Sequence, residues 1–147
     1  MFIYPISLTI AAGAALMNCW LMMRVGKVRG EEKISVGDGG NERVIRRMRA
    51  HSNFVESAPF VLILIFLLEA ALGSSIWLWG AGAFYLVARV AHPIGMDGAR
   101  VPRIIGALGT LLSLLGLAIA ALYTVYAGQP ATTTTELVAA SPINLPA

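Results

Sequence analysis

Four stretches of about twenty mainly apolar residues, at 5–23, 54–72, 75–92 and 104–126, occupy more than half of this 147-residue chain. A helix needs roughly 20 such residues to cross a hydrocarbon core of about 30 Å. The first stretch is uncharged and stops at Arg24, and the second is apolar except for Glu56 and Glu69 near its ends. The third carries Trp77 and Trp79 at its start and Arg89 near its end; the fourth is uncharged and closes on Tyr123 and Tyr126. Trp and Tyr favour the membrane–water boundary, so they mark interfacial ends. Only 13% of residues are charged, against about a quarter in a soluble domain. The sequence therefore predicts an all-α membrane protein, a four-transmembrane-helix bundle over residues 1–127. Residues 128–147, with Thr132 to Thr135 in a row and three prolines, read as a disordered tail.

Charge placement predicts the orientation. Eight of the eleven Lys and Arg fall between Arg24 and Arg49, after the first stretch, and Arg100 and Arg103 follow the third. Basic loops stay in the cytoplasm. The first and third connections are accordingly expected inside, with both termini on the other side. The first stretch has no basic residue ahead of it and no clear small-residue cleavage site, so it is expected to be retained as a span. With Cys19 as the single cysteine and only two histidines, neither an internal disulfide nor a Cys/His zinc site can be completed. Gly37-Asp38-Gly39-Gly40 marks a loop. No strand precedes it and no Lys-Ser/Thr pair follows, so it is not a phosphate cradle. Asn41 or a neighbour is placed to cap a helix starting near Glu42 that runs on into the second span. The pattern points to lipids and small molecules as partners, with no nucleic acid.

Ionisable groups at membrane depth are costly and face a bundle interior or a wet cavity. At 3.6 residues per turn, Glu42, Arg46, Arg49, Asn53 and Glu56 fall within about 80° of one another. Tyr85, Arg89, His92 and Met96 share a second stripe if the helix survives Pro93. Arginines present planar, bidentate donors for carboxylates and stay charged when partly desolvated. Glu56 can accept from an ammonium, and Asn53 offers both a donor and an acceptor. A small zwitterion with two carboxylates and one amine satisfies this set, and Arg103 is placed to stabilise an anion such as a thiolate. Arg49 and Glu56 stand about 10 Å apart along a helix, too far for a one-turn ion pair. Other residues invite plainer readings. Arg43, Arg46 and Arg47 read as a basic patch on anionic headgroups, and Glu69 as a carboxylate snorkelling to water. His51 is expected to pack or bond against a neighbouring helix, and Cys19 to be a buried, inert thiol. Gly80, Gly82, Gly106, Gly109 and Gly116 read as close helix packing.

Arg49-Ala-His-Ser-Asn-Phe-Val-Glu56, followed by Pro59, resembles the second-helix signature of the MAPEG family, the membrane-associated proteins of eicosanoid and glutathione metabolism. Val36-Gly-Asp-Gly-Gly-Asn41 is similar to the loop of bacterial members. Arg89-Val-Ala-His92 with Arg100 and Arg103 is similar to the third helix and the connection to the fourth. The resemblance implies a four-helix bundle assembled as a homotrimer, with glutathione held between subunits near the cytoplasmic side. It implies Arg49, Asn53, Glu56, Arg89, His92 and Arg100 as glutathione-binding residues and Arg103 as the arginine that stabilises the thiolate. A further arginine at the end of the first helix is implied, with Arg24 the better match and Arg29 competing. Met96 and Ala107 stand where some members have tyrosine, which leaves an arginine-assisted mechanism and removes a tyrosine-assisted one. The activity implied is glutathione transfer to, or peroxide reduction of, lipophilic substrates dissolved in the bilayer. The alternative is a non-catalytic protein whose basic stripe binds anionic lipid or another anionic metabolite. A channel or transporter lacks the inverted repeat and broken helices such folds use.

Overall fold

The computed structural model describes residues 3–127. Four helices make up nearly all of it: α1 (Pro5–Glu31), α2 (Glu42–Leu72), α3 (Ile76–Met96) and α4 (Arg100–Tyr126). The expected tail, 128–147, lies outside the described residues. Three helices, α1, α2 and α4, are long and apolar enough to cross a membrane. α3 has 21 residues, about 31 Å of helix, but Arg89, His92 and Pro93 dilute its apolar character. The four spans expected from sequence thus become four bundled helices, with α3 packed against α1, α2 and α4.

α1 pairs with α2 and α3 with α4; α2 also packs on α3 and α4, α1 packs on α3, and α1 and α4 do not touch. The shared core is aliphatic and aromatic, drawn from Ile10 of α1, Phe54 and Ile65 of α2, Tyr85 of α3 and Leu117 of α4. The outer surface is apolar as well: Leu16, Phe60, Ile63, Val87, Leu112 and Ile119 are all exposed on the single chain. That inversion suits a bilayer, where lipid tails replace water around the bundle.

Asn41 caps α2 as its position suggests, its side-chain oxygen accepting from the N–H groups of Arg43 at 2.9 Å and Val44 at 3.3 Å. α2 then runs unbroken through Pro59. Opposite it, α1 closes with Lys33 in the left-handed region (φ 56°) and the Ile34 N–H returning to the Arg29 carbonyl at 2.9 Å. The connection is pinned by Arg43, which pairs with both Glu31 and Glu32. Those two hydrogen-bonded carboxylates push the Arg43 pKa above its ordinary value.

Several packing expectations change. Glu69 is buried, not snorkelling: it caps the start of α1 from the far end of α2. Cys19 is exposed on the outer face of α1, not buried. Of the five glycines read as contact points, Gly82, Gly106 and Gly109 are such points, facing Ile10, His92 and Ala88. Gly80 and Gly116 face open space, while Gly13 and Gly95 are contact points the sequence reading passed over.

Candidate functional site

α2 carries the polar stripe along one face, and that face lines two adjoining cavities against the ends of α3 and α4. The inner cavity, about 220 Å³, is lined by Arg49, Ser52, Asn53, Glu56, His92 and Met96. The outer cavity, about 600 Å³, is lined by Glu42, Arg46, Gly95, Met96, Gly98, Arg100 and Arg103. Met96 belongs to both walls. Six of the eight residues singled out from sequence therefore line these two neighbouring cavities, four in the inner one and Arg100 and Arg103 in the outer one.

Why they converge is a matter of helix register and one tight crossing. α3 continues through Pro93, so His92 and Met96 reach the cavity from the same stripe as Arg89. α4 starts at Arg100, which puts Arg100 and Arg103 in its first turn. Gly95 and Gly106 then let α3 and α4 touch backbone to backbone. A Cβ at Gly95 would lie 2.0 Å from the Arg103 nitrogen, and one at Gly106 would lie 2.5 Å from the His92 nitrogen.

The charges in the cleft are uncompensated in an informative way. Among the described residues, neither Arg49 nor Glu56 has an ion-pair partner, and both are exposed to the cleft side. Arg46 reaches Glu42 one turn back at 3.3 Å. The outer cavity sets three guanidinium groups against the single carboxylate of Glu42. Its field favours an anion.

The remaining two predicted residues sit differently. Arg89 is fully buried and lines neither cavity; its Nη1 donates to Asn53 Oδ1 at 2.8 Å and to Thr110 Oγ1 at 3.1 Å. Arg24 is held away from the cleft, stacked over Trp20 and paired with Asp97. Its competitor Arg29 lines a separate cavity with Lys33 and Ile34. Arg47 also reaches Asp97, at 2.7 Å. Of the basic patch expected to meet lipid headgroups, Arg47 is turned inward onto Asp97, while Arg43 and Arg46 stay at the surface in exposed pairs with Glu31, Glu32 and Glu42.

Asp97 is the functional-looking residue that sequence reasoning missed. From the C-terminal cap of α3 it ties α1 through Arg24 and α2 through Arg47. The signal was present: one acid, followed by Gly98, beside a connection that is otherwise basic. His51 behaves as expected, its Nε2 lying 2.9 Å from Asn18 Oδ1 on α1.

The family whose sequence model matches this chain, over residues 7–123, is described as the MAPEG family. That stretch covers all but the ends of the four-helix bundle. The chain belongs to the MAPEG family. Membership makes it a helical membrane protein of the family of eicosanoid and glutathione metabolism. The chain matches no curated protein by sequence.

Proposed function

We propose that this MAPEG protein binds glutathione in the cleft of α2 and activates its thiol for attack on lipophilic electrophiles, as a transferase or peroxidase. The supporting observation is the pair Arg49 and Glu56, opposite charges on one cavity wall with no ion-pair partner among the described residues. Such a pair fits a ligand carrying both an acid and an amine. Glu56 takes the γ-glutamyl ammonium, Arg49 a carboxylate, and Asn53 and His92 the polar groups between them. Arg100 and Arg103 widen the anion-favouring mouth. Arg103 is the candidate catalytic residue: a guanidinium beside the sulfur favours thiolate over thiol. The thiolate attacks the electrophilic carbon to form a thioether, and the leaving group departs with the electron pair of its broken bond. Arg24 joins the ligand only by exchanging Asp97 for a ligand carboxylate.

The assembly is proposed as a homotrimer with the cleft at a subunit boundary. Asn53 and Glu56 are exposed on the single chain, and polar groups at membrane depth need a protein or aqueous neighbour. The basic connections support a cytoplasmic mouth, with both termini on the opposite side.

Calorimetry with glutathione on detergent-solubilised protein tests the binding. Glu56→Gln is expected to weaken it about tenfold, the loss of one charge-assisted hydrogen bond. An absence of binding, or binding indifferent to Glu56, favours the anionic-lipid alternative. Thiol titration tests activation separately: bound glutathione should ionise below its ordinary value of about 8.5, and Arg103→Ala should restore that value.

A further inference from the structure

The side-chain amide of Asn53 has a fixed polarity. Arg89 Nη1 lies 2.8 Å from it, and a guanidinium has only donors. The amide atom facing Arg89 therefore has to be the carbonyl oxygen, and the NH2 group is turned to the open, cavity side of Asn53. The same nitrogen of Arg89 donates to Thr110 Oγ1 at 3.1 Å, whose own proton is committed to the Gly106 carbonyl at 2.8 Å. Thr110 can then only accept from Arg89. Arg89 itself is 0% exposed, lies over the Phe54 ring at 5.4 Å, and has no carboxylate partner among the described residues. Its Nε and Nη2 are buried without a hydrogen-bond partner among the described residues, so the guanidinium is placed by the Phe54 ring and by the bonds of Nη1 to Asn53 and Thr110, and it holds Asn53 in turn.

We propose that Arg89 is a positioning residue that turns Asn53 into a pure hydrogen-bond donor, so the site requires an acceptor oxygen on its ligand opposite Asn53. From sequence, Asn53 offered a donor and an acceptor equally, and Arg89 counted among the residues on the ligand. The geometry instead spends the acceptor on Arg89 and makes Arg89 act through Asn53. Asn53 and Glu56 are three residues apart, about 4.5 Å along the helix axis. The ligand's acceptor and its ammonium are then neighbours, as the carboxylate and ammonium of one α-amino acid are. A ligand with a donor at the first position is rejected because two N–H groups would face each other.

This inference deepens the glutathione reading and rests on it for the ligand, so the test has an unliganded arm. Protein labelled with 13C and 15N at asparagine is placed in lipid nanodiscs, with Asn53 assigned through Asn53→Ala. Without ligand, the Asn53 side-chain carbonyl should show a hydrogen-bonded shift that Arg89→Met abolishes and Arg89→Lys, still a donor, retains. Adding glutathione should move the Nδ2 resonance and leave the carbonyl in place. In calorimetry, Arg89→Met should weaken glutathione about tenfold on the natural background and less than about twofold on Asn53→Ala. The proposal is overturned by a carbonyl shift indifferent to Arg89→Met, by glutathione moving the carbonyl instead of Nδ2, or by equal losses on both backgrounds. No binding to the natural protein overturns the glutathione reading alone, because the unliganded carbonyl still decides the amide's polarity. Should Arg89→Met not fold, Arg89→Lys and the natural protein decide it through the same two resonances: an unmoved Nδ2 on saturation with glutathione refutes the proposal.

Discussion

A carboxylate buried in a membrane bundle with no cation beside it among the described residues is stabilised by dipoles. Glu69 is 2% exposed, and its two oxygens accept four hydrogen bonds: from the N–H groups of Ile6 at 3.0 Å and Ser7 at 2.7 Å, and from the hydroxyls of Ser7 at 2.6 Å and Ser74 at 2.7 Å. Two of those donors are the unpaired amides of the first turn of α1, where the helix dipole is positive. Tyr4, at the N-cap position, makes no side-chain cap, so the cap comes from another helix. Glu69→Ala removes it and leaves the amides orphaned in an apolar setting. The expected cost is about 3 kcal/mol, read as a lowered thermal unfolding midpoint in detergent, with Glu69→Gln costing less. An unchanged midpoint for Glu69→Ala would show that lipid or water serves those amides equally well. Cys19 illustrates the opposite case: nothing about an apolar helix says which of its faces is turned outward, and Cys19 is on the outer one.

At the scale of elements, the α3–α4 crossing is the contact that assembles the cleft. Gly95 and Gly106 face the backbones of Arg103 and His92 at distances no Cβ tolerates. Gly106→Ala and Gly95→Ala should each force the helices apart, destabilising the protein by about 1–3 kcal/mol or more and weakening ligand binding with it. Gly80→Ala and Gly116→Ala, in open space, should be neutral or slightly stabilising, because alanine is the better helix former. Thermal unfolding of the four variants separates the two groups. Equal behaviour of all four would mean that the crossing is not set by its glycines. A spacing rule could name small residues as contact candidates but could not say which of them meet a partner. Asp97 works at this scale too, since by pairing with Arg24 and Arg47 it ties the end of α3 to both α1 and α2.

For the whole molecule, the two features to measure are sidedness and assembly. With basic loops in the cytoplasm, a cysteine placed at Lys33 should react with an impermeant thiol reagent only from the cytoplasmic face, and one at Ser74 only from the other, in a chain whose Cys19 is replaced by alanine. Reversed labelling would overturn the orientation. Native mass spectrometry of the detergent complex should give three copies of the chain, since the polar cleft is open on the single one; a monomer that still binds glutathione would sink the boundary-site reading.

The sequence by itself determined the helical membrane class, the α2 cap at Asn41, the polar stripe of α2 and the family resemblance. Each is a local property, set by hydropathy along the chain or by the fixed 100° advance of a helix. Only the tertiary structure decided what the stripe faces, which glycines touch, and how each charge is spent. It is the packing of α3 against α2 and α4 that buries Arg89 behind Asn53, and the turn after α3 that brings Asp97 to Arg24 and Arg47. Those pairings join residues 36 to 73 positions apart. Hydropathy and periodicity along one helix carry no information about which residue of another helix will lie across from it.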